Sequence, residues 1–340
     1  MNNKILLFIL ILFSCDSSFK DNEKIIDDIV LLSSKISEDP FNQNLLLERV
    51  NYNLSKDNIQ SAIYDLKKLI ELDSLNLEYK YMIAKNYFNL SKERNANQKY
   101  PVLTRNYLEN ILTLNKDHIK ANLLMGELML AYARFLNSIT YLEKSLELDY
   151  NQPKAHLLLG YAYKNINQND NAINSFKKAI NINPDYKEAY IQLGQMYHLD
   201  NNNLAVTYYD NALKIDPDDI LVLYNKAVFF QSILEWNKAL EAYAVLHKVD
   251  PFHADGHYNL GFIHMELKLF DVATNNFSDA IYSNPKYYEA YYSRGICFET
   301  LGNIAQAESD YNRAIEINPD YDYAKEALSL LKSKNIKYNE

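Results

Sequence analysis

Apolar residues recur at the spacing of one helical face from Ile25 almost to the end of the chain. Ala324, Ala327, Leu328 and Leu331 stand at i, i+3, i+4 and i+7, with Lys325, Glu326 and Lys332 on the other side. The same spacing joins Ala172, Phe176 and Ala179. The pattern predicts amphipathic helices, each with one stripe to bury. Ahead of Ile25 the pattern changes. Lys4 precedes nine consecutive apolar residues, Ile5 to Phe13, and Ser14-Cys15 closes the run. This is the outline of a secretory signal, too short for a permanent membrane span of about 20 residues.

The helical pattern is itself periodic. Gly126, Gly160 and Gly194 are 34 residues apart, as are Gly261 and Gly295, with Ala227 between the two sets. Pro184, Pro217, Pro251, Pro285 and Pro319 keep the same beat, each after Asn or Asp. In 153–186 the marked places are Leu159-Gly160, Tyr163, Ala172, Phe176, Ala179 and Pro184; Leu193-Gly194, Tyr197, Ala205, Tyr209, Ala212 and Pro217 repeat them. This arrangement resembles the tetratricopeptide repeat. The resemblance implies an all-α fold, a right-handed superhelical solenoid of antiparallel helix pairs. Physics supports these residue types independently. Gly or Ala lets two helix backbones approach, aromatics fill the wedges between layers, and proline ends a unit because it cannot continue the helix before it. One pair cannot bury its own face, so neighbours must stack.

The register yields eight units spanning 43–321: 43–76, 77–118, 119–152, 153–186, 187–219, 220–253, 254–287 and 288–321. The second unit is eight residues longer than the 34-residue period, with the excess near 91–99 between its helices. That insertion reads either as a solvated loop or as a partner-specific contact. Residues 22–42 should supply an N-terminal helix ending before Pro40, and 322–340 a capping helix and tail. Residues 1–14 form the signal and 15–21 a short tether.

Composition narrows the function. Seven Gly and eight Pro fall far below the roughly 24 and 17 of average usage, so the turn chemistry of sheets and barrels is missing. A net charge of −9, with no Lys/Arg cluster longer than a pair, argues against nucleic acid. Two cysteines cannot make a disulfide framework. Leu12-Phe13-Ser14-Cys15 resembles a bacterial lipoprotein signal, which implies that Cys15 is acylated and becomes the first mature residue. That places the protein in a bacterial cell envelope, at the periplasmic or surface face of the outer membrane. An ordinary secretory signal with a coincidental cysteine is the other reading. Cys297, in an apolar helical stretch, reads as a small core residue.

Reactive constellations are scarce. His253 and His257 stand at i, i+4 with His264 further along and Asp255 nearby, but no Glu lies inside the pair. His257 and His264 occupy the unit places of Tyr190 and Tyr197, which are packing places, so no metal is expected. No glycine-rich phosphate loop and no Gly-x-Ser-x-Gly elbow occur. Neither catalytic residues nor a cofactor are expected, and the chain does not read as an enzyme.

What remains is the inner face, which in such a solenoid is lined by the first helix of every unit. One row there is Tyr81, Leu123, Leu157, Ile191, Tyr224, Tyr258 and Tyr292; the adjacent row ends in Asn225, Asn259 and Ser293. Tyrosine gives contact area at low entropy cost and amides bind backbone polar groups, so these rows suit a protein or peptide partner. The chain is also rich in Tyr throughout, with 29 of them, and composition alone could fill the rows. Lys85, Lys120, Lys154 and Lys164 lie in earlier units, whereas Asp255, Glu266, Glu289 and Glu299 lie in later ones. The candidate binding residues are therefore Tyr224, Asn225, Tyr258, Asn259, Tyr292, Asp255 and Glu289, facing a basic segment. The expected function is a non-catalytic scaffold or adaptor, lipid-anchored through Cys15. A self-associating structural module, a homodimer in an envelope complex, is the alternative.

Overall fold

The computed structural model describes residues 29–338, with side chains to Ser333; the signal, the tether, Cys15 and the start of the N-terminal helix lie outside the described residues. Among the described residues the chain is all-α, with eighteen helices and no strand. They fall into two compact units divided after Gln168.

The first unit holds α1 (29–38), α2 (Gln43–Ser55), α3 (Ile59–Leu72), α4 (Leu77–Leu90), α5 (Lys99–Leu114), α6 (Ile119–Ala131), α7 (Phe135–Leu148) and α8 (Pro153–Asn165). The second holds α9 (Asn169–Ile182), α10 (Lys187–Leu199), α11 (Leu204–Ile215), α12 (Ile220–Ser232), α13 (Trp236–Val249), α14 (Ala254–Glu266), α15 (Phe270–Ser283), α16 (Tyr288–Thr300), α17 (Ile304–Ile317) and α18 (Asp322–Tyr338). Within each unit a helix packs on its sequence neighbour across a short turn, and the first helices of successive pairs also touch, as α4 does α6 and α14 does α16. Places below are counted from the first residue of each pair.

Small and large residues interlock inside the pairs. A methyl group on Gly126 would lie 2.6 Å from Leu142, on Gly194 2.5 Å from Tyr209, on Gly261 2.6 Å from Phe277, and on Gly295 2.6 Å from Tyr311. Each contact puts the eighth place of the first helix against the large residue of the second. Tyr209, Phe277 and Tyr311 are fully buried as a result.

The turns show how helices end with so few glycines. After α2, α6, α8, α10, α12 and α14 the chain enters the left-handed region at Asp57, Ala133, Asn167, Asn201, Leu234 and Lys268, and after α16 at Gly302. The following amide reaches back over the last turn, as in Glu235 N to Phe230 O at 2.9 Å and Leu269 N to His264 O at 2.8 Å. These are helix-ending caps of the Schellman kind, mostly without their usual glycine. The pair α4–α5 lacks such a turn and carries instead the loop 91–98. Second helices end differently. The Asn or Asp that caps them accepts from the amide two residues on, as Asp250 Oδ1 does from Phe252 at 3.1 Å and Asn284 Oδ1 from Lys286 at 3.1 Å. The intervening residue is Pro251 or Pro285, whose missing N–H costs nothing in such a turn.

Two ion pairs, each of a half-buried arginine with a buried aspartate, share one spacing. Arg294 makes a bidentate contact to Asp310 at 2.8 Å on both arms and donates to Ser278 Oγ at 2.9 Å. Arg49 does the same to Asp65 at 2.7 Å, and to Ser33 Oγ at 3.3 Å. Both arginines stand in the seventh place, which Leu159, Leu193 and Leu260 fill elsewhere. At the C-terminus Ala324 and Leu331 of α18 are buried, while Lys325, Glu326 and Lys332 face solvent.

Candidate protein-interaction surface

The fifth place of the first helices carries Tyr224, Tyr258 and Tyr292 in successive pairs of the second unit, and each meets a ring from the last place of its own pair. Tyr224 lies 5.0 Å from the ring of His253, Tyr258 stacks on Tyr287 at 5.0 Å, and Tyr292 meets Tyr321 edge-on at 5.3 Å. Tyr81 and His118 repeat the arrangement in the first unit at 6.0 Å. The sequence reading singled out the tyrosines of the fifth place and missed His253, Tyr287 and Tyr321. A signal was available. All four tyrosines of the fifth place are matched by an aromatic ring in the last, and Leu123 and Ile191 by Gln152 and Asp219, but Leu157 is matched by Tyr186, so the signal is partial.

The rows are also tied across pairs. Asn259 Nδ2 donates to the Tyr224 hydroxyl at 3.2 Å, and the Tyr258 hydroxyl lies 3.5 Å from Ser293 Oγ. Asn259 and Ser293 thus brace the tyrosines of the preceding pair. Asn225 is half-buried, and its Nδ2 has no hydrogen-bond partner.

Carboxylates flank the rings. Asp255 is exposed and sits beside the Tyr287 hydroxyl, which burial pushes well above the usual tyrosine range and Asp255 raises further. Burial likewise raises Tyr224, with Asp255 adding to the shift. Glu289 faces the Tyr288 hydroxyl. Tyr292 is raised by burial and then by Glu326 of α18, in the fifth place of that helix. Exposed Tyr323 of the same helix lies 5.7 Å from Tyr321. In α12, α14 and α16 the second, fifth, ninth, twelfth and thirteenth places hold no Lys or Arg.

The earlier lysines are differently placed. Lys120 pairs with Glu78 at 3.1 Å and Lys154 with Glu127 at 2.6 Å, all within the first unit. Glu299 is engaged by the Tyr311 hydroxyl at 2.9 Å.

The histidines serve structure. His253 caps α14, accepting from Gly256 N at 3.0 Å; His257 Nε2 contacts Pro251 O at 2.9 Å; His264 contacts Asn276 at 3.2 Å. Among the described residues no group of three or more His, Cys, Asp or Glu could hold a metal ion. Cys297 is buried, and burial lifts its thiol to about 11, away from nucleophilic use.

Family models match three stretches. "Tetratricopeptide repeat" models cover 187–219 and 288–321, and a "TPR repeat" model covers 165–201. Tetratricopeptide repeats are thus matched within 165–219 and 288–321. Those at 187–219 and 288–321 coincide with the helix pairs α10–α11 and α16–α17. The chain is similar to RNA polymerase II-associated protein 3 of Mus musculus (27% identical) and of Homo sapiens (26%) over 111 residues. The match covers 33% of this chain and 17% of those relatives. Among solved structures it is similar in fold to MamA, with 22% identity and a TM-score of 0.44 over 49% of this chain and 94% of that one. Cut9 with Hcn1, an APC/C hetero-tetramer, gives 17% and 0.46 over 88% of this chain and 57% of that one. YrrB, described as a TPR protein with an unusual peptide-binding site, gives 19% and 0.41 over 65% and 96%. No helix among the described residues is long and apolar enough to cross a membrane.

Proposed function

We propose that this tetratricopeptide-repeat chain is a non-catalytic adaptor that takes a basic peptide segment along Tyr224, Tyr258 and Tyr292. The observation that carries the reading is the run of three ring pairs flanked by Asp255 and Glu289, on helix places free of Lys and Arg. An exposed cation over a tyrosine ring gains about 0.5–1 kcal/mol. Three such contacts in a row, with carboxylates to steer the approach, suit Lys and Arg side chains spaced along one segment. Cys15 holds the adaptor to an envelope membrane as a lipid anchor, so the partner is met close to the bilayer.

Titration of the full chain into a fluorescein-labelled Lys/Arg-rich peptide tests the groove. Binding should weaken with salt and be lost in the variant Asp255→Lys with Glu289→Lys. Undiminished binding by that variant overturns the reading. The anchor is tested separately by the mass of the mature N-terminus, which should begin at an acylated Cys15; an unmodified Cys15 removes it.

A further inference from the structure

A second docking surface lies in the first unit, at the lengthened pair, and it has the opposite character. A groove of about 460 Å³ runs between the start of α5 and the end of α6. Its floor is apolar. Val102 and Tyr132 are each 50% exposed there, beside Leu128 and Met129. Its rim is positive, with Arg105 on α5 and Arg134 at the start of α7. Arg105 reaches Glu109 at 3.6 Å, an exposed pair one turn along the same helix and so a weak competitor. No carboxylate pairs with Arg134 among the described residues.

The helix starts add to this field. Gln98 precedes α5 and Arg134 precedes α7, and neither side chain caps its helix. Neither helix has an acidic residue in its first turn. Both Gln98 and Arg134 line the groove, so two partly positive helix N-termini meet two guanidiniums at one apolar floor. The loop 91–98 brings this about. It replaces the tight turn that joins the other helix pairs and so separates the start of α5 from the end of α4.

We propose that this groove docks an acidic amphipathic peptide segment of a partner protein. Its leucine or phenylalanine side chains fill the floor over Met129, whose flexible thioether adapts to either, and its carboxylates bind Arg105 and Arg134. On a chain of net charge −9, a basic rim around an apolar floor selects such a segment against the molecule's general field. The site goes beyond the ring row of the second unit and takes a partner of opposite charge.

The test is fluorescence anisotropy of a short peptide with Leu and Phe at helical spacing and Asp and Glu between them, titrated with the full chain at physiological salt. Saturable binding is expected. The variant Arg105→Gln with Arg134→Gln should weaken it by about tenfold or more, as should replacing the peptide's Asp and Glu by Asn and Gln. Val102→Ser should weaken it independently. Both arginines are exposed, so thermal melts of the double variant should match the parent. No saturation, or equal binding by the double variant, overturns the proposal. So does a result in which the arginines govern only a concentration-dependent dimer seen by light scattering, or only binding to phosphatidylglycerol vesicles. Either failure leaves the basic-segment reading of the second unit standing, because no residue is shared.

Discussion

The hydroxyl of Tyr311 donates to Glu299 Oε2 at 2.9 Å, across the two helices of one pair. The equivalent places are matched in other pairs of the second unit. Tyr243 donates to Gln231 at 2.7 Å and Tyr209 lies 3.4 Å from His198 Nδ1. Where the ring is Phe277 and has no hydroxyl, the partner place is Met265, packed on the same cluster. A buried hydroxyl needs an acceptor, and a buried phenyl ring needs none.

This matching predicts non-additive energetics. Tyr311→Phe removes a charge-assisted hydrogen bond and should cost about 1.5–3 kcal/mol in urea unfolding. Adding Glu299→Met reproduces the Phe277–Met265 arrangement and should restore part of that loss. A double-mutant cycle with no coupling would show that the hydrogen bond contributes nothing.

The turns predict stabilising substitutions. Leu234 and Lys268 sit at φ of 60° and 61°, where a non-glycine residue costs about 1–2 kcal/mol. Glycine gives back about 0.5–1 kcal/mol through the entropy of the unfolded chain. Leu234→Gly and Lys268→Gly should therefore each raise stability by about 0.5–1 kcal/mol. Gly302→Ala should do the reverse through the backbone alone, since a methyl there has nothing within 4 Å. Gly295→Ala should lower stability for a steric reason, by about 1–3 kcal/mol, because the methyl meets the Tyr311 ring. Thermal or urea melts that rank these four otherwise would sink the account.

Asp310 predicts the largest loss. It is buried and its charge is balanced by the Arg294 fork. Asp310→Ala leaves that guanidinium without its counter-charge and should cost about 3–5 kcal/mol. Arg294→Leu with Asp310→Ala should cost much less, since leucine is the residue of the seventh place in other pairs. A double variant as unstable as the single one would mean that the pair contributes something other than charge balance.

The helix pairs were legible because a few residue identities carry them. Gly194 against Tyr209, and Asp250 before Pro251, are each demanded by one backbone contact or one turn, and the demand recurs every 34 residues. The left-handed turns were not legible, because Leu234 and Lys268 carry no turn signal; the fixed length of the connection imposes the conformation. Arg294 was hidden in a leucine place, and its partner Asp310 lies 16 residues on, beyond any local pattern. The interaction row was half legible. Tyr224, Tyr258 and Tyr292 are periodic and could be aligned, but their ring partners stand at the turn into the next pair and read as capping residues. The groove at Arg105 and Arg134 follows from the loop 91–98, whose length was visible and whose effect on the start of α5 was not.

Histidine 247 predicts how the second unit responds to acid. Its ring stacks on His257 at 3.9 Å, and its Nε2 is buried without a hydrogen-bond partner. Burial lowers its pKa from 6.5 to about 4, with the positive forms of His257 and His253 pushing the same way and Asp250 opposing them. A histidine with a depressed folded pKa resists protonation in the native state but not in the unfolded chain. Its contribution to stability is therefore whole above pH 6.5 and falls as pH drops from 6.5 toward 4. The melting temperature of the full chain should decline over that window, and His247→Leu should flatten the decline while leaving the carboxylate-driven loss at lower pH. Gly256 limits the replacement, since His247 Nε2 lies 2.7 Å from where its methyl would stand; His247→Gln is a second variant of similar length. Profiles of both variants parallel to the parent between pH 6.5 and 4 would assign the acid sensitivity to other groups.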